Sequence, residues 1–265
     1  LYIRLEYDAD VFQNGMPDIS AVVQGKKVYD PRKDNTSSSY DASLGVTTHR
    51  IDTATTWQYS SNPALALADY LRDTKGCKSP SSEIDYSMVA TAADDCASIG
   101  AVGVRVNSFE IGGIVNCGDT KQDNINAILS SFNGTLFFGQ GQFRLVAGAY
   151  HAPASGTLFT LDDVRSSIAI QTRHSRRDLV NTVKGTFNNK DNRWIADEFP
   201  KIQLADMSED NNIESVIDLS MPLVTKPAAA QRLAKQTLYT SREQITLTAM
   251  FSSKAYKLQV GDVIT

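Results

Sequence analysis

The chain has 265 residues, 42% hydrophobic and 21% charged, with a formal net charge of -4. That is the balance of a globular protein with enough chain for one large domain or a few small ones. No run approaches the roughly 20 apolar residues of a membrane-spanning helix, and Arg4 and Glu6 interrupt the first apolar segment, which excludes a signal peptide. The slight acidity argues against a dedicated nucleic-acid binder, whose surface is basic, although a mildly acidic wall suits a conduit along which DNA slides.

Residues 1–58 read as a β-rich segment. Ile3, Leu5 and Tyr7 alternate with Tyr2, Arg4 and Glu6. After a turn at 14–17, residues 19–23 and Val28-Tyr29 read as a hairpin around Gly25-Lys26, closed by Asp30-Pro31. Residues 34–43 are a polar loop, expected to be mobile, and 51–59 resume a strand.

Residues 59–156 read as a mixed α/β domain. Asn62 is placed as an N-cap with Pro63 at the first helical position. Ala64, Leu67, Ala68 and Leu71 then form an apolar stripe that ends before Gly76. A second helix is expected over 86–98, with Val89, Ala92, Ala93 and Cys96 on one face, and a strand over 109–115. Asp119-Thr120 opens a third helix, with Gln122 or Asp123 placed for a capping box and Ile125, Ile128, Leu129 and Phe132 as its stripe. Residues 135–138 and 143–147 form a hairpin around Gly139-Gln140-Gly141.

Residues 157–265 read as a second β-rich domain. Its helix, at about 226–240, is capped by Thr225 and buries Ala230, Leu233, Ala234, Thr237 and Leu238. Ile245, Leu247, Ala249 and Phe251 alternate as a strand face, and a last hairpin carries Tyr256, Leu258 and Val260. No period of about 20–50 residues recurs. The chain opens inside one strand pattern and stops in what reads as the start of another, so an internal piece of a longer polypeptide is expected, cut short in this last domain.

The signatures of catalysis are missing: no nucleophile elbow, zinc-protease helix, P-loop or paired-cysteine motif. His49, His151 and His174 are far apart in sequence and read as solvated or hydrogen-bonded side chains. The adjacent carboxylates Asp94-Asp95, Asp162-Asp163 and Glu209-Asp210 diverge on either a strand or a helix, so they do not present two carboxyls to one bond. Asp162-Asp163 reads as a cap. Gly139-Gln140-Gly141 lies between strands, without the helix N-terminus that a phosphate cradle needs. Cys77, Cys96 and Cys117 form no disulfide framework. A Cys77–Cys96 bridge is conceivable, and reduced thiols fit assembly in a bacterial cytoplasm.

Charge is segregated late in the chain. Residues 165–193 hold seven Lys and Arg against Asp178 and Asp191, and 197–218 hold seven Asp and Glu against Lys201. Two readings stand: two solvated sheet faces, or a complementary contact between subunits in which Arg173, Arg176 and Arg177 are the candidate contact residues.

Several phrases resemble the tail-tip hub proteins of long-tailed bacteriophages, the family of the tip attachment protein of lambda-like phages. They are the run from Gly15 to Arg32, Trp57 with residues 61–71, Asn181 to Gly185, Trp194, Met221-Pro222 with Ala230-Gln231-Arg232 and Leu238, and residues 258–264. The resemblance is dispersed over nearly the whole chain, and no phrase is a catalytic fingerprint. The polar stretch 34–44 departs from the family pattern. The resemblance implies an α+β protein of split β-barrel-type hub domains with a few packed amphipathic helices. It also implies a homotrimer around a central channel at the tail tip, built into the virion after assembly in the host cytoplasm. Such a hub closes the tail tube, takes part in host attachment and DNA ejection, and touches other tail-tip and tail-tube proteins. It touches DNA transiently and meets a host envelope receptor through other regions. No catalytic, cofactor or metal-binding residue carries over. The alternatives are a tail-associated wall-degrading glycosidase or peptidase, and a receptor- or carbohydrate-binding module.

Overall fold

A computed structural model describes residues 21–45, 48–99, 105–149, 153, 158–172, 179–243, 245–258 and 260–265. The hairpin expected near the start of this part is replaced by a longer-range pairing. Residues 21–26 have no regular structure, and β1 (Lys27–Val28) pairs antiparallel with β2 (Gln58–Tyr59). The cause lies in Asp30, Pro31 and Arg32, shortly after β1. Asp30 caps a short 3-10 turn, Pro31–Lys33, by accepting from the Arg32 amide at 3.0 Å. The same carboxylate takes the Arg32 guanidinium in a fork, at 2.9 and 2.8 Å, and Arg32 Nη1 reaches Asp94 on the second helix at 3.0 Å. Arg32 and Asp30 are both buried. Such a pair is strong only when every donor and acceptor is used.

Two more buried polar residues extend this knot. Tyr29 donates to Asp34 at 2.9 Å, and Asp34 also accepts from Thr36 and from Arg50. Burial alone would push the Asp34 carboxyl up, but these bonds outweigh it and hold it below the usual range. The polar loop expected to be mobile therefore starts from an anchored carboxylate. His49 Nδ1 accepts from the Asp30 amide at 3.1 Å, so the neutral imidazole carries its proton on Nε2. The strand expected over 51–59 shrinks to β2, because Ala54–Thr56 turn as a 3-10 segment. Trp57 then donates to Arg50 O at 2.8 Å, beneath the Arg72 guanidinium, 4.2 Å above its ring.

The first three helices form as their stripes and caps dictate. In α1 (Pro63–Arg72) the Asn62 side chain accepts from Ala64 and donates to Ala93 O. One buried cap thus stitches α1 to α2 (Tyr86–Asp95). That second helix stops three residues early, at Cys96, and the chain turns into β3 (Ala97–Ile99), antiparallel to β4 (Arg105–Asn107). The strand expected over 109–115 is absent. Ile111 makes a single bridge to Val224, and Gly112 lies against Trp194, whose ring would be 2.7 Å from a Cβ there. Thr120 and Asp123 cap α3 (Lys121–Ser130). β5 (Thr135–Gly139) and β6 (Gln142–Val146) form the expected hairpin, turned by Gln140 and Gly141 at φ 55° and 81°, as a two-residue turn requires.

β7 (Ala169–Gln171) precedes the central strand, β8 (Thr182–Asn189). β9 (Ile195–Glu198) and β10 (Ile202–Gln203) pair antiparallel with β8 along one edge. β11 (Val216–Met221) runs parallel along the other, in register from Thr182↔Val216 to Phe187↔Met221. α4 (Pro227–Arg242) lies across β8 and buries Ala229, Ala230, Leu233, Ala234 and Leu238. Its N-cap is Lys226, not the expected Thr225, which is buried one residue earlier. Lys226 and Lys190 both reach Glu110, at 2.5 and 2.9 Å. Burial raises the Glu110 carboxyl, and the two lysines more than offset it. β12 (Thr246–Thr248) returns to pair antiparallel with β7. The last expected hairpin is instead a 3-10 turn, Ser253–Lys257.

The described elements are of the expected α+β class. Among the described residues no sheet closes into a barrel: the largest has four strands and the others have two. One apolar cluster joins Val28, the first three helices, the central sheet and α4.

Three consequences can be measured. Replacing Arg32 by Leu leaves the Asp30 carboxylate buried and unpaired, so urea unfolding should show a loss of about 3–5 kcal/mol. An unchanged midpoint would remove the knot from the account. A Cβ at Gly185 would meet Leu219 O at 1.9 Å, so Gly185→Ala should cost on the order of 3 kcal/mol or more by separating β8 from β11. His49 is held below its ordinary value by burial, with Asp30 and Asp34 opposing and Lys33 assisting. A depressed folded value means stability present above about pH 6.5 and lost as the pH falls through the folded value. His49→Gln should flatten that part of the stability–pH curve, and an unaltered slope would rule His49 out.

Candidate assembly surface

Two segments far apart in sequence, 158–172 and 245–265, come together outside the central sheet. Their junction begins at Asp163. The Thr160 amide donates to the Asp163 carboxylate at 3.1 Å, which gives the pair Asp162-Asp163 its capping role. Lys254 Nζ bonds the same carboxylate at 2.9 Å and lies 5.1 Å from the centre of the Phe159 ring. The Lys254 bond is the main reason that the Asp163 carboxyl is held below its usual range. Phe159 meets Phe251 edge-on at 5.3 Å, and Val164 bridges Phe251. From there the chains run side by side through Arg165 N to Met250 O, at 2.7 Å, and into the β7–β12 ribbon.

The ribbon has two unlike faces. Ile170 and Leu247 are direct cross-strand partners, and alternation puts Ile168 and Ile245 on their side. The other face carries Ala169, Gln171, Thr246 and Thr248. In a sheet of this pattern the aliphatic face normally packs on a core. Here Ile170 is 57% exposed, Leu247 53% and Ile245 76%.

This exposure is general across the lobe. Among the described residues, twenty-one large apolar side chains are exposed, and eleven of them lie in 158–172 and 245–265. None of the buried apolar residues does. A two-stranded ribbon with no core is marginal on its own, and a concentrated apolar surface of this kind marks an interaction site. The sequence carried half of the signal. The alternation of Ile245 and Leu247 shows one strand face; its partner Ile170 on β7 shows only in the pairing.

Arg173, Arg176 and Arg177, the predicted contact residues, lie outside the described residues, as do His151 and His174. Much of the acidic band is paired within the chain. Asp218 faces Lys184 across the sheet at 3.5 Å, Glu214 takes Lys201 at 3.1 Å, and Asp210 binds Arg242 and Asn181. The first of these pairs is well exposed, as in the solvated-face reading.

Among the described residues, Asp30, Arg32, Lys33 and His49 line a small polar pocket, with Asp30 bonded to both Arg32 and His49. Asp94, Asp163 and Asp210, one from each adjacent pair, hold Arg32, Lys254 and Arg242. No group of three metal-ligating side chains is found among the described residues. The three cysteines are free, and burial pushes the Cys96 thiol up to about 12. A groove of about 640 Å³ runs between residues 22–28, α1 and residues 111–117, lined by Val23, Tyr70, Ile111, Trp194 and Leu223. Lys26 ties Asp69 to Asp73 at this groove. Among the described residues no helix is long and apolar enough to cross a membrane.

A family model described as "Putative phage tail protein" matches residues 120–265, more than half of the chain. A search of curated proteins found no match. The matched region contains both segments of the exposed lobe, the central sheet and α4. The chain belongs to this family of phage tail proteins, components of the virion.

Proposed function

We propose that the chain serves at the tail tip as part of the hub, a structural protein rather than an enzyme. In the full-length protein it works as a homotrimer that closes the tail tube and joins it to the receptor-binding parts. Its partners are other tail-tip and tail-tube proteins, a host envelope receptor reached through other regions, and the DNA that passes at ejection. The observation that carries this reading is the coreless apolar lobe in a chain of a phage tail family. Such a surface suits a protein that finishes folding inside an assembly.

Several of the described residues in the hub-like phrases support it as well, because they do scaffold work. Asp30 and Arg32 form the buried fork, Asn62 the buried cap, Gly185 the close strand contact, and Trp194 packs on Gly112. Asp30 and Arg32 line a small pocket with His49, but their polar groups are engaged with each other, with Asp94 and with the His49 ring.

A virion carrying a small tag on this chain, imaged by electron microscopy, should show the label at the tail tip, with three copies in threefold-averaged density. Label along the tube or at the capsid end would overturn the tip assignment. Lysis in a cell-wall zymogram would overturn the structural one.

A further inference from the structure

We propose that His49 is an acid-sensitive latch: when its ring takes a second proton, the buried knot around Asp30 opens and the turn 30–34 lets go of α2. Any buried histidine loses stability in acid; the latch adds where the chain opens and why it opens there. The device is built into this chain and holds wherever in the tail the chain sits.

The geometry of the ring carries the proposal. His49 is 1% exposed. Its amide donates to Lys33 O at 3.0 Å and its carbonyl accepts from Arg50 at 2.8 Å, so the backbone that carries the ring is fixed on both sides. Nδ1 accepts the Asp30 amide and must keep its lone pair to do so. Nε2 is buried with no hydrogen-bond partner among the described residues. The imidazolium carries N–H groups at both nitrogens and has no lone pair to offer. Turning the ring over does not help, since either nitrogen then points a proton at the Asp30 amide. The other N–H stays buried without an acceptor, which is worse for a cation than for a neutral ring.

The charges that face the ring do not rescue the cation. Burial is the largest influence and holds the imidazole below its ordinary value, against Asp30 and Asp34 and together with Lys33. Both carboxylates are already committed: Asp30 to the Arg32 fork, and Asp34 to Tyr29, Thr36 and Arg50. From β2, the Gln58 amide oxygen is taken by Lys33, and from α2, Asp94 is drawn to Arg32. A proton taken up in acid therefore displaces the Asp30 amide. With Asp30 go the cap of the turn Pro31–Lys33 and the Arg32 fork, and with Arg32 goes the link to Asp94 on α2. β8 and α4 take no part in these bonds, so the opening is local.

The test follows hydrogen exchange in the full 265-residue chain from neutral to mildly acid pH, corrected for the intrinsic pH dependence of exchange. Peptides covering residues 28–36 report the latch, and peptides covering 182–189 report β8 as the control. Below about pH 6.5 the opened histidine binds a proton that the closed one refuses. Protection over 28–36 should then fall by up to about tenfold per pH unit, the slope of one proton, while β8 keeps its protection. His49→Gln, whose amide oxygen can still accept the Asp30 amide, should show no such fall. Circular dichroism melting checks that this variant folds. If it does not, nitrogen NMR of labelled histidine in the unmodified chain reads the ring directly. There His49 should show no proton on Nδ1 at neutral pH, and a titration that coincides with the loss of protection. A fall of equal size in His49→Gln, a fall shared by β8, a proton on Nδ1 at neutral pH, or a knot still closed after the ring has titrated would each overturn the latch.

Discussion

Gly185 sits where no other residue can. Directly across from it on the parallel neighbour is Leu219, whose carbonyl oxygen occupies the space a Cβ would need. That approach lets β11 lie in register along six residues of β8, while β9 and β10 take the opposite edge. A strand with both edges filled gives α4 a firm floor, and the alanines of α4 let the helix come down close to it. Asn181, fully buried just before β8, fixes the same register from the other end. It bonds Ile213 O, the Ser215 amide and Asp210. The central sheet is therefore specified by backbone proximity and one buried amide as much as by apolar area.

The amino-terminal half solves a different problem. Among the described residues its strands are two or three residues long, and they do not by themselves organise a core. Buried polar bonds do that work instead. Arg32 links the turn after β1 to α2, and Asn62 links α1 to the same helix. Each uses a charged or amide side chain with partners for its polar groups, Arg32 on Asp30 and Asp94 and Asn62 on Ala64 and Ala93, the condition under which burial is tolerable. The apolar stripes of α1 and α2 supply most of the stabilisation, and the polar links choose one arrangement of them.

What could be read in advance divides along this line. The four helices, the Asn62 and Thr120 caps and the Gly139–Gly141 turn were legible because they depend on neighbours within a few residues. The pairing of β1 with β2 was not, since Asp30 and Arg32 act through Asp94, 62 residues beyond Arg32. The strand assigned to 109–115 failed for a related reason: Gly112 and Gly113 lie against Trp194 and Leu223, and Ile111 makes only an isolated bridge to Val224, so no ladder is built. In the lobe, periodicity gave the shared face and left its environment open. Alternation reports which side chains share a side; it cannot report whether the cover belongs to the same chain.

That last point bears on why a tail protein would keep a coreless lobe. A ribbon without buried side chains contributes little to the folding of its own chain, so its exposed faces raise the risk of association at the wrong place. Its root, however, is well tied. Asp163 is held by a cap and by Lys254, the Phe159 and Phe251 rings meet, and the final residues lie near Val146 of β6. The segments on either side lead into β8 and out of α4, which belong to the firm body. The lobe is thus positioned before it is covered, which lowers the ordering cost of covering it. On the proposed assembly reading, burial of the lobe would add its free energy to the assembly and not to the free chain. On that same reading, a rigid root with an unfinished face lets the chain fold alone and still offer a surface for assembly.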